Sequence, residues 1–149
     1  YDGKRLAVTD RAGFQVNIYD IKETGFELYK TIPLDPFYNP DDLLFCVINP
    51  YDSDQIMFWS VTAHRVLVLD AASGKSGYIN GKFEAVDPFT GRIFCFDADW
   101  NNNRLTNVYN SSDIGRPVVS FRTHSYGLGA YNDFLLMYQG CFNISNYIK

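Results

Sequence analysis

The sequence predicts an all-β chain laid out as repeated antiparallel meanders of four strands, and three observations carry the prediction. Apolar and polar residues alternate over short runs rich in aromatic and β-branched side chains. Gly, Pro, Asn and Asp break those runs every few residues. A marker pattern then returns after about 40 residues, the period of a stacked supersecondary unit. No segment of a dozen residues joins a helical apolar period to a capping signal, so helix is expected to be scarce.

In chain order the predicted strands are 4–10, 15–21, 26–34, 43–49, 55–61, 65–71, 77–80, 82–87, 92–97, 104–109, 117–121, 126–131, 134–138 and 143–148. Most neighbours are separated by a few residues, which suits hairpins and not parallel crossovers. The long gap is Asp35-Pro36-Phe37-Tyr38-Asn39-Pro40-Asp41-Asp42, where two prolines and paired acids predict an extended loop.

The repeat shows in two places. Phe45-Cys46-Val47-Ile48-Asn49-Pro50-Tyr51 returns as Phe83-Glu84-Ala85-Val86-Asp87-Pro88-Phe89, with Pro50 and Pro88 38 residues apart. Val66, Leu105 and Ile144 lie 39 apart and are expected to mark the third strand of successive units. Repeats of this length built from four strands predict the blades of a β-propeller. The whole chain, 1–149, then reads as one propeller segment with blades at about 1–40, 41–80, 81–121 and an incomplete 122–149, the first lacking its innermost strand. Propellers close with four to eight blades, so a partial ring is expected, with the remainder of the propeller or a second copy of the chain completing it.

The apolar-Asn/Asp-Pro turns, together with strands ending in Tyr19-Asp20 or Leu69-Asp70 before Ala71-Ala72-Ser73-Gly74-Lys75, resemble the blades of WD-repeat proteins, with Tyr-Asp and Leu-Asp where that family has Trp-Asp. Asp2-Gly3-Lys4-Arg5-Leu6-Ala7-Val8 and the stretch from Tyr131 to Gly140 are similar to segments of six-bladed, TolB-like propellers. The first resemblance implies a cytoplasmic binding scaffold, the second a periplasmic or cell-envelope one. Neither supplies a catalytic motif.

Composition narrows the function classes. A net charge of −4 with scattered Lys and Arg gives no basic stripe for nucleic acid. No apolar run is long enough for a membrane span, and no signal peptide is visible. Three widely spaced cysteines, Cys46, Cys95 and Cys141, each within a hydrophobic run, are expected to be buried free thiols. Asn110-Ser111-Ser112 and Asn143-Ile144-Ser145 fit the glycosylation triplet.

No catalytic, cofactor-binding or metal-ligating set is assigned, and no cofactor is expected. His64 and His124 stand at strand edges without a partner set for nucleophilic chemistry. The run Asp97-Ala98-Asp99-Trp100-Asn101-Asn102-Asn103 carries oxygen side chains at alternate positions, yet it lacks the Gly and the closing acid of a calcium loop and reads as a hairpin turn. Phe58, Trp59, Phe94, Phe96 and Tyr138 are expected at matching blade positions, packing one blade on the next. Trp100, in a turn, is the candidate contact residue.

The function these features predict is a non-catalytic module that mediates protein–protein interaction. The alternative is part of an envelope propeller whose funnel binds or processes a carbohydrate or peptide, lined by Asp10, Asp70, Asp87 and Asp97.

Overall fold

The computed structural model describes residues 4–10, 12–34, 43–60, 64–98, 104–123, 127–137 and 140–148. Among them there is no helix, and fourteen strands follow one another: β1 (Arg5–Asp10), β2 (Gln15–Lys22), β3 (Gly25–Pro33), β4 (Leu43–Ile48), β5 (Gln55–Ser60), β6 (Arg65–Asp70), β7 (Ser76–Asn80), β8 (Lys82–Val86), β9 (Ile93–Ala98), β10 (Arg104–Tyr109), β11 (Val119–Arg122), β12 (Gly127–Tyr131), β13 (Phe134–Met137) and β14 (Gly140–Asn143). They form four antiparallel meanders: β1-β2-β3, β4-β5-β6-β7, β8-β9-β10-β11 and β12-β13-β14. The fold is a succession of β-propeller blades.

Recurring backbone hydrogen bonds align the sheets. Ile21 donates to Lys4, Ala71 to Asp54 and Ile144 to Asp133, at 2.7, 2.6 and 2.8 Å, so β1, β5 and β13 hold the same place. Asn49 donates to Gln55 and Asp87 to Arg92, at 2.8 and 2.9 Å, which aligns β5 with β9. The first sheet therefore contains the second, third and outer strands of a blade, and the fourth contains the inner, second and third. Each inner strand carries one bulge, at Leu44, Glu84 and Leu128, an extra residue that bends the strand and tightens its twist.

Three apolar layers lie between the four sheets. Val16, Ile18 and Ile32 meet Ile56, Phe58, Leu67 and Leu69 between the first and second sheets. Met57, Val66, Val68 and Ile79 meet Phe83, Ile93 and Cys95 between the second and third. Ala85, Phe94 and Val108 meet Leu135 and Ile144 between the third and fourth. Successive side chains of a strand point to opposite faces, and in β5 and β6 both faces are covered. That is why Ile56, Met57 and Phe58, or Val66 through Leu69, are buried without a break. The terminal sheets have one covered face each. Leu6, Val8, Phe26 and Leu28 are exposed on the first, and Tyr131, Phe134 and Leu136 on the fourth.

Four expectations need correction. The last strand is Gly140–Asn143, and the stretch expected as strand 143–148 turns at Ser145–Tyr147. Ile144 consequently follows the third strand of its sheet, whereas Val66 and Leu105 lie within theirs. The cause is a two-residue hairpin, Asn132-Asp133, both at positive φ (48° and 66°), which shortens the fourth unit relative to the six-residue link between β8 and β9. Cys95 is buried as expected and Cys46 half-buried, but Cys141 is exposed because it alternates with Phe142 onto the open face. Phe58 and Phe94 do not match: Phe94 takes the place of Met57 and faces the following sheet, while Phe58 faces the preceding one. The long loop predicted at 35–42 and Tyr138 lie outside the described residues.

Truncating the fully buried Phe58 to Ala is expected to cost about 3–5 kcal/mol, read as a lowered urea midpoint by circular dichroism. Phe26→Ala, at a side chain 66% exposed, should change stability by no more than about 0.5 kcal/mol.

The two open apolar faces should make the isolated chain self-associate. Light scattering is expected to give a mass above that of one chain, lowered by Leu28→Lys or Leu136→Lys; a monodisperse monomer would contradict this.

Candidate functional site

The turns joining inner to second strands gather at one rim, and one polar side chain opens each long turn. Asn49 and Asp87, which precede Pro50 and Pro88, are both fully buried. Asn49 Oδ1 accepts the backbone N–H of Tyr51 at 2.9 Å, and Asp87 Oδ1 accepts that of Phe89 at 2.9 Å. This is the local Asx bond that makes Asn and Asp turn formers.

The rest of each side chain reaches the next sheet. Asn49 Nδ2 donates to Gln55 Oε1 at 2.8 Å and to the Gly91 carbonyl at 3.3 Å, in the equivalent turn of the third sheet. Gln55 Nε2 in turn donates to the Ser111 carbonyl at 2.8 Å. Asp87 instead accepts the backbone N–H groups of Asn132 and Asp133, at 3.0 and 2.7 Å, from the tight turn of the fourth sheet. An amide stands where the neighbour offers a carbonyl, and a carboxylate stands where it offers two N–H groups.

Charged pairs repeat the link at the same rim. Arg5 opens β1 and donates to Asp54 of the second sheet, also bonding Asp20 at 3.2 Å and lying 4.1 Å from the Tyr29 ring centroid. Arg92, in the equivalent place before β9, donates to Asp133 of the fourth sheet. Burial opposes ionisation of the Asp87 carboxyl, but the N–H groups of Asp133, Phe89 and Asn132 and the Thr90 hydroxyl outweigh it and hold its pKa below the usual carboxylate value.

These turns also present aromatic rings. Tyr51, Phe89 and Tyr131 are 61%, 53% and 62% exposed. Each packs across a sheet boundary. A Cβ at Gly91 would lie 2.7 Å from the Tyr51 ring, so glycine leaves room for the ring there as well as adopting φ 69°. Phe89 meets Tyr131 edge-on with centroids 4.5 Å apart. The rim therefore offers rigid aromatic surface held by buried hydrogen bonds.

Other sequence candidates fall elsewhere. Trp100, Asp99 and His124 lie outside the described residues, and so does the rest of the Asp97 turn from 99 to 103. His64 is exposed in a turn at φ 48°, immediately before β6. Among the described residues no three His, Cys, Asp or Glu side chains group as metal ligands. The four acids considered for a funnel do not converge. Asp87 is buried at the rim, and Asp70 caps its own turn through the Ser73 N–H at 2.7 Å, which lowers its pKa. Asp10 and Asp97 lie at the opposite ends of the blades, where β1 and β9 run out. Burial pushes the Cys46 thiol up to about 12 and raises that of Cys95 still further, so neither is a ready nucleophile. Sequence reading missed Tyr51 and Phe89 as surface residues, although the Asn-Pro-Tyr and Asp-Pro-Phe repeats contain them.

No family model matches the chain, and no curated protein matches it. Solved structures do. A chain of the mitotic checkpoint complex is 17% identical with a TM-score of 0.51, the match covering 91% of this chain and 44% of that one. The WD40 domain of coronin from Toxoplasma gondii is 13% identical with a TM-score of 0.42, covering 90% and 49%. The chain thus spans under half the length of either neighbour. At 17% identity the likeness to the first of these is one of fold alone. No helix among the described residues is long and apolar enough to cross a membrane.

Exchanging acid and amide should expose the bridge. Asn49→Asp removes the donor facing the Gly91 carbonyl, and Asp87→Asn puts an N–H₂ where N–H groups already point. Each isosteric change is expected to cost about 1–3 kcal/mol, the penalty for a buried polar group left unpaired. Because the folded pKa of Asp87 lies below its unfolded value, its contribution is complete above about pH 4 and is lost as pH falls through the folded pKa. Urea midpoints measured between neutral and acid pH should fall accordingly, and less steeply in Asp87→Asn.

Proposed function

We propose that the chain is a non-catalytic scaffold that binds a protein partner through the rim carrying Tyr51, Phe89 and Tyr131. One observation carries the reading: half-exposed or more exposed aromatic rings recur on successive turns whose backbones are fixed by buried side chains. Tyrosine and other aromatics are enriched at protein interfaces and dominate binding energy there, because they offer large contact area with few torsions to freeze. The separation of the four acids between the two ends of the blades favours this reading over a funnel that processes a sugar or peptide.

A display library of peptides selected on the immobilised chain tests the proposal. Selected binders are expected to lose about tenfold or more in affinity with Tyr51→Ala or Phe89→Ala, the scale of an interface anchor. Phe14→Ala, in the β1–β2 turn at the opposite end of the blades, should leave binding unchanged, and urea midpoints of the rim variants should stay near that of the parent. Binders indifferent to both rim substitutions would place the interaction elsewhere and overturn the reading.

A further inference from the structure

We propose that the partner segment met by the rim carries an arginine, and that Tyr51 with the carboxylates of Asp52 and Asp113 receives its guanidinium. The inference rests on the rim reading above and deepens it by naming the chemistry of the partner.

The same recognition already occurs within the chain. At this rim the Arg5 guanidinium lies 4.1 Å from the centroid of the Tyr29 ring while it bonds Asp20 at 3.2 Å and also Asp54. A ring beside a carboxylate suits guanidinium, which stacks on the aromatic face and donates hydrogen bonds from its edge. Tyr51 and Asp52 offer the same two parts in the turn before β5. The Tyr51 ring is 61% exposed with Gly91 against one side, and among the described residues no cation lies over it. Asp52 is exposed, and its Oδ1 accepts the Asp54 N–H at 3.1 Å, which holds the carboxylate in place and leaves Oδ2 for a partner. Asp113 repeats the arrangement, exposed, with Oδ1 accepting the Gly115 N–H at 3.1 Å. Its turn reaches Tyr51: a Cβ at Gly91 would lie 2.7 Å from the ring and 3.0 Å from the Ser111 hydroxyl, and the Asp113 N–H closes that turn on the Asn110 carbonyl at 3.1 Å. Among the described residues neither Asp52 nor Asp113 has an ion-pair partner, the exposed Arg116 of the latter's own turn included.

Charge places the arginine at Tyr51 and not at the other two rings. Beside Phe89 and Tyr131 the carboxylates are already engaged, Asp87 by backbone N–H groups and Asp133 by Arg92. Arg5 and Arg92 are themselves held by acids, so neither is free to satisfy Asp52. Along the turns 49–54, 87–92 and 131–134, with Arg5, the acids Asp52, Asp54, Asp87 and Asp133 outnumber the cations Arg5 and Arg92, and the aromatic surface is left net negative. An apolar partner pressed on Tyr51 would desolvate an unpaired carboxylate at a cost. A guanidinium covers the ring and pairs with the acid at once. Lysine would reach the acid as a point charge but stack less well. Phe89 and Tyr131, packed edge-on, would take apolar side chains of the same segment.

The probe is a fluorescent peptide, Gly-Arg-Gly-Arg-Gly-Arg-Gly, followed by anisotropy beside a version with citrulline, the neutral isostere, at each arginine. The arginine peptide is expected to bind saturably and the citrulline peptide about tenfold or more weakly, the scale of an interface anchor. Asp52→Asn keeps the turn bond to the Asp54 N–H but removes the charge, and it should weaken the arginine peptide by a similar factor, as should Tyr51→Ala. Glu23→Gln changes the net charge equally in an exposed turn of the first sheet and should leave binding unchanged. Absence of saturable binding, or an equal loss with Glu23→Gln, which marks general charge attraction, would overturn the proposal. Peptides selected by display separate it from the rim reading: binders that need Tyr51 yet hold as well with citrulline in place of arginine would overturn the arginine site alone, whereas binders indifferent to Tyr51, Phe89 and Asp52 would overturn both.

Discussion

The bridge from each first turn to the next sheet is the constraint on which the arrangement depends. Apolar layers are not directional: Val, Ile, Leu and Phe on two facing sheets could slide by a residue pair at modest cost. Asn49 to Gly91, Asp87 to Asn132 and Asp133, Arg5 to Asp54 and Arg92 to Asp133 are directional. All sit at one rim. They fix how far one sheet is rotated and shifted against the next, and the hydrophobic layers below are then filled in a single register. A buried polar group is costly unless partnered, so a shift that breaks the Asp87 bonds strands a carboxylate and two N–H groups together.

The same bonds serve the surface. The oxygen of Asn49 or Asp87 that holds the following aromatic N–H belongs to the side chain that grips the neighbouring sheet. Tyr51 and Phe89 are thus positioned by the core and not by loop conformation. Proline at 50 and 88 limits the turn further by fixing φ. Rigid display lowers the entropy lost on binding, and this links the packing of the blades to the interaction proposed for their rim.

Much of the fold was legible because strand spacing and turn chemistry are local. Hairpin-length gaps, the Asn49-Pro50 and Asp87-Pro88 signals and the aromatic and β-branched runs place nearly every strand within a residue or two. What failed depended on register. The two-residue turn Asn132-Asp133 shifts everything after it, so Ile144 left the strand assigned to it and Cys141 came to face outward. Which face Phe58 or Phe94 takes is decided by pairing, which a continuous apolar run does not reveal when both faces are buried. Trp100 drew attention as an aromatic in a turn, while Tyr51 and Phe89 were masked by their own regularity: a repeated motif reads as scaffold, and here the scaffold carries the exposed rings.

The choice between amide and acid at one repeated position also orders the blades. The second sheet presents a donor toward its successor, and the third sheet offers the Gly91 carbonyl in reply. The third presents only acceptors, and the fourth replies with the paired N–H groups of a left-handed turn that Asn and Asp tolerate well. If the fourth sheet followed the second, the Asn49 amide would face N–H groups; if another sheet with a Gly91-like turn followed the third, the Asp87 carboxylate would face a carbonyl. Either arrangement buries like against like. Complementary pairs that penalise the wrong neighbour give specificity without extra affinity, so near-equivalent apolar faces can stack in one sequence and not another.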